Sequence, residues 1–74
     1  MDLATLAAQT AATRSTPDVK KTLALLNDLS NHAAIQTSLE QQLGVTIQDD
    51  DHDLFMADLA AIQGAYQAEL ESRG

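Results

Sequence analysis

Apolar positions recur along this chain at spacings of three and four, with no run that alternates at two, so the pattern predicts helices throughout. Leu3, Leu6 and Ala7, followed by Ala8, Ala11 and Ala12, predict a first helix from Asp2 to about Arg14, capped by the Asp2 carboxylate. Its apolar content is mostly alanine, so it is expected to bury little and to be the least stable element. Ser15-Thr16-Pro17-Asp18 starts a second helix. Thr16 is the expected N-cap, Pro17 takes the first helical position, and Asp18 meets the positive end of the helix dipole. Val19, Leu23 and Leu26 share one face, broadened by Leu25 and Leu29.

At about 100° per residue, Ile35, Leu39 and Leu43 point away from the Val19-Leu23-Leu26 face. One straight helix would therefore leave an apolar face in water along half its length. A turn near Ser30-Asn31 resolves the conflict, because Asn, Asp and Ser compete with helical hydrogen bonding and cap helices well. A third helix then runs from about His32 to Leu43. The alternative is one continuous helix across residues 17–43, sandwiched between two partners. Gly44 is the expected left-handed C-cap, and Val45-Thr46-Ile47 an extended link with both apolar residues tucked inward.

The fourth helix, about Asp51 to Ser72, has the strongest pattern. Phe55, Leu59, Ile62, Tyr66 and Leu70 form one stripe. Ala57, Ala61, Gly64, Ala65 and Ala68 form a small-residue face on the other side, against which a helix of the same bundle or of a second copy could pack closely. The predicted fold is all-α, a compact antiparallel bundle of three to four short helices forming a single domain over residues 1–74. Only Arg73-Gly74 and the first residues are expected to fray.

Composition narrows the options. At 74 residues without cysteine, the domain cannot be stapled by disulfides and has to rely on a metal, on regular helix packing or on oligomerisation. Eleven acids against four bases give a formal net charge of −7, which argues against nucleic acid and anionic membrane as partners. No apolar run reaches the roughly 20 residues of a membrane span. Asp2 stands where a signal peptide carries a base, so a cytoplasmic location is expected.

Candidate chemistry is sparse. Asp49, Asp51 and Asp53 match the opening of a calcium loop, but its sixth position is Leu54 rather than glycine and its twelfth is Ala60 rather than an acid. Helix capping accounts for the same acids. His32 and His52 have no metal-ligand spacing, and His32 reads as a rim or packing residue. Ser15, Ser30 and Ser38 lack a glycine-rich elbow. Lys20, Lys21 and Arg14 form the basic spot, expected to pair with acids of the fourth helix. No catalytic, metal or cofactor residue is assigned, and an enzyme is not expected.

Asp28, Ile35, Leu39, Glu40 and Leu43, followed by Gly44-Val45-Thr46-Ile47-Gln48-Asp49-Asp50, give the stretch from Asp28 to about Tyr66 a resemblance to the second half of an acyl carrier protein. That resemblance implies a modified serine, and Ser30 is its candidate. The motif order departs, with Leu29-Ser30 following Asp28 in place of Ser-Leu, and the upstream Leu-Gly is missing. The primary expectation is a non-enzymatic interaction module of adaptor, immunity or accessory type, self-associating through the fourth helix or bound to another protein. A small acidic inhibitor that imitates the ligand of a basic protein is a third reading.

Overall fold

The computed structural model describes residues 2–28, 30–48 and 50–74. The expectations for Leu29 and Asp49 fall outside the described residues. Four helices form in chain order: α1 (Leu3–Thr13), α2 (Thr16–Asn27), α3 (His32–Leu43) and α4 (His52–Arg73). The all-α bundle is as predicted, and the phase jump between Leu26 and Ile35 is resolved by a break, with α2 and α3 as separate helices.

Local chemistry accounts for the boundaries. Asp2 accepts the Thr5 amide at 2.7 Å and opens α1. Its carboxyl is held below the usual aspartate value by that backbone hydrogen bond first, with the Thr5 side chain adding to it. Ser15, not Thr16, is the N-cap of α2, with its Oγ 3.4 Å from the Asp18 amide. Thr16 is used elsewhere: its hydroxyl accepts from Arg73 at 3.1 Å. Gly44 closes α3 at a φ of 71°, the conformation a side chain would strain. Asp51 caps α4 by accepting the Leu54 amide at 3.2 Å.

The core is built around α4. Phe55, Leu59, Ile62 and Tyr66 are buried, and Leu70 packs at their margin. They meet Val19, Leu23 and Leu26 from α2, Ile35, Leu39 and Leu43 from α3, and Ile47 from the link. The closest packing in the molecule is α1 on α4. Ala7 and Ala11 are wholly covered, whereas Ala8 and Ala12 face water. The expectation that the alanines of α1 bury little is thus corrected: with only a methyl group between them, the two backbones come close together. The close approach uses the small side of α1 against the large side of α4, and the small face of α4 is left outside.

Helix directions follow from cross-helix contacts. Gln63 donates to Asn27 at 2.6 Å and Arg73 to Thr16, so α2 and α4 run antiparallel. The His32 ring lies 5.4 Å from that of Phe55, and Gln42 meets Tyr66, so α3 and α4 run in the same sense. The link makes this feasible: eight residues span up to about 25 Å, longer than the ~18 Å of a twelve-residue helix. The α3 side chains hold the link in place. Glu40 accepts the Ile47 amide at 2.8 Å, and Gln36 donates to the Ile47 carbonyl, which seats the Ile47 side chain in the core. The C-terminus is anchored rather than frayed. Arg73 donates to the carbonyls of Ala11 at 2.9 Å and Arg14 at 2.7 Å, and pairs with Glu69 at 3.4 Å.

If α1 is seated through its alanines, Ala11→Leu overpacks that contact and costs about 1–3 kcal/mol in urea unfolding. Ala12→Leu, one position around the helix and exposed, is expected to stay within about 0.5 kcal/mol of wild type.

Candidate functional site

A hydroxyl buried among aliphatic side chains needs a partner, and two such hydroxyls project inward here. Tyr66 is fully buried on the α4 stripe and Thr22 lies on the buried face of α2. Both are satisfied by one amide. Tyr66 donates to Gln42 Oε1 at 2.8 Å, while Gln42 Nε2 donates to Thr22 at 3.2 Å and to Ser38 at 3.0 Å. Gln42 thereby ties α2, α3 and α4 together at one point. Burial pushes the Tyr66 phenol above its ordinary value of 10.0, and the positive charge of Arg14 works in the opposite direction.

Outward from this network, α2 and α3 enclose an open groove of about 540 Å³. From α2 it is lined by Asp18, Lys21, Leu25 and Asp28, and from α3 by Ser38 and Gln41, with Arg14 at one end. Arg14 pairs with Asp18 only at 4.0 Å, and its Nε is shielded from water with no acceptor. The expected pairing of Arg14, Lys20 and Lys21 with acids of α4 is corrected. Among the described residues neither lysine makes an ion pair within 4 Å, and the cation that bridges α4 to the rest is Arg73.

The predicted interface residues fall on the outer side of α4. Ala57, Gly64 and Ala68 are exposed, and Ala61 and Ala65 are half-buried at its edge. Among the described residues no other element comes within 4 Å of the position a side chain would take at Gly64. Of the two uses foreseen for this face, packing within the bundle is therefore not the one found. Leu54, 51% exposed, lies on the same side one turn before Ala57.

The fold brings together two residues that sequence spacing kept apart. His32 and His52, each the first residue of a helix, stack with ring centroids 6.1 Å apart above Phe55. Among the described residues no group of three or more His, Asp or Glu side chains is gathered that could hold a metal ion. Ser30 is exposed in the turn before α3, its hydroxyl donating to Asp28 at 2.6 Å. Thr22 and Gln42 were not singled out from sequence, Ser38 was weighed there only as a nucleophile, and Arg73 only as a fraying end. The available signal was a hydroxyl at an apolar-phase position, Thr22 between Val19 and Leu26.

No protein-family model matches this chain, and no curated protein or solved structure does either. Fold and faces together define a class only: a small four-helix bundle with an outward helix face of small residues and a groove of mixed polarity between α2 and α3. Among the described residues no helix is long and apolar enough to cross a membrane.

Tyr66 is the only tyrosine, so phenolate absorbance reads its titration alone. Because its folded-state value is raised, its contribution to stability is complete below pH 10.0 and is lost as pH rises through the folded value. Tyr66→Phe should cost about 0.5–1.5 kcal/mol at neutral pH, from the lost hydrogen bond. The gap between variant and wild type should narrow in urea unfolding at alkaline pH.

Proposed function

We propose that this protein is a small acidic interaction module without enzymatic activity, and that it pairs with a second copy of itself through the outer face of α4. The observation that carries the reading is the unoccupied surface at Gly64. A helix interior accepts glycine at about 1 kcal/mol relative to alanine, and nothing in the fold uses the space this one leaves. Ala57, Ala61 and Ala68 extend the low surface, and Leu54 supplies one large apolar contact. Two such faces can approach closely about a twofold axis. Adaptor, immunity-like and accessory roles all use a module of this kind, and the partner surface would then be another protein.

Charge gives the pairing a signature. Two chains of −7 repel one another, so added salt screens the repulsion and strengthens self-association. Salt weakens binding of an acidic mimic to a basic partner, which separates the two readings. Light scattering with inline size exclusion is expected to show a dimer whose share rises with concentration and salt. Gly64→Glu should make it a monomer with helix content and unfolding midpoint unchanged or raised. A wild-type chain that stays monomeric throughout overturns the proposal.

A second reading is the carrier domain, favoured by one observation: Ser30 is exposed immediately before a helix, with its hydroxyl on Asp28. Coexpression with a phosphopantetheinyl transferase is then expected to add the arm to the intact mass, and Ser30→Ala to abolish the addition. An unmodified wild-type chain rejects that reading.

A further inference from the structure

We propose that the groove between α2 and α3 binds a carboxylate carried on a small apolar body, with Arg14 and Lys21 as its charge partners. The chain has only four basic side chains, and these two line one groove. Arg73, by contrast, is fully engaged with carbonyls and Glu69. Of the two acids of the groove, Asp28 is better served than either cation. Asp28 accepts the Ser30 hydroxyl at 2.6 Å, whereas Arg14 has no acceptor at Nε and finds Asp18 only at 4.0 Å. A guanidinium is a planar donor fork matched to carboxylate, and this one is held in place without a close acceptor.

The rest of the lining sets the ligand class. About 540 Å³ lies within the range of small-molecule sites. Ala24 and Leu25 give an apolar wall. Gln41 makes no hydrogen bond among the described residues, which leaves a neutral donor and acceptor free beside the cations. Gln42 is pinned by Tyr66 and Thr22, so that wall is rigid. Asp18 and Asp28 bring the formal charge of the groove to zero against Arg14 and Lys21, and the whole chain is at −7. A single negative charge is tolerated there, and a dianion or a polyanion is repelled. The groove and the outer face of α4 involve different residues, so this proposal does not depend on self-association.

The test titrates the isotope-labelled full chain at fixed ionic strength with N-acetyl-leucine, with its uncharged amide and with inorganic phosphate, following backbone amide shifts. The acid is expected to give saturable shifts at groove-lining residues, and the amide to bind about tenfold more weakly or not at all. Arg14→Gln should weaken the acid about tenfold, and Lys21→Gln, at an exposed position that does not endanger folding, should weaken it less. The proposal is overturned by absence of saturable shifts, by equal binding of acid and amide, by tighter binding of phosphate, or by both variants retaining wild-type affinity.

Discussion

The fit of α1 against α4 is the contact on which the other arrangements rest. The large side chains of α4 need cover on more than one side, and a domain of this size has few large residues to spare. Ala7 and Ala11 solve this by distance rather than by bulk: they let a helix backbone serve as cover. With α1 that close, its C-terminal carbonyls lie within reach of Arg73, which closes the far end of α4 onto the α1–α2 corner. The same choice leaves the alanine and glycine face of α4 without a neighbour. Large-against-small packing can be satisfied once per helix here, and the fold has spent it on α1.

A second constraint is polar. Tyr66 brings a hydroxyl into an aliphatic core, where an unpaired one would cost a few kcal/mol at most and more than about 1 in any case. Gln42 meets it, and being shared with Thr22 and Ser38 it bridges α2 and α3 by side chains instead of by close backbone packing. The groove above is the geometrical result: two consecutive helices held at a distance by one amide. Gln36 and Glu40, earlier on α3, act likewise by holding the backbone of Ile47.

Charge is distributed by the same logic. With eleven acids, most carboxylates face water or cap helices, while Arg73 sits on carbonyls and Arg14 and Lys21 line the groove. Arg73 donates to the carbonyl of Ala11 in the last turn of α1 and to that of Arg14, its C-cap, where helical partners run out. Arg14 is the exception, half-buried beside Tyr66 with an ion pair at the limit of contact.

Most helix boundaries and the α4 stripe were legible in the residues themselves, because they rest on local chemistry, whereas the choice between one helix and two across residues 17–43 was left to the structure. Asp2, Asp51 and Gly44 cap through atoms a few residues away, and the phase change between Leu26 and Ile35 pointed to a break without deciding it. The cap of α2 was misplaced by one residue, since Ser15 and Thr16 are both capping residues; the Thr16 hydroxyl meets Arg73, 57 positions on. Which small-residue surface is buried, which amide meets Tyr66, and where the histidines and cations meet were settled only by tertiary structure. Alanine reads the same whether it faces a helix or water, and a glutamine shows no preference until a buried hydroxyl is set against it. Periodicity determines that a face exists; what lies opposite it depends on how the helices share too few large side chains.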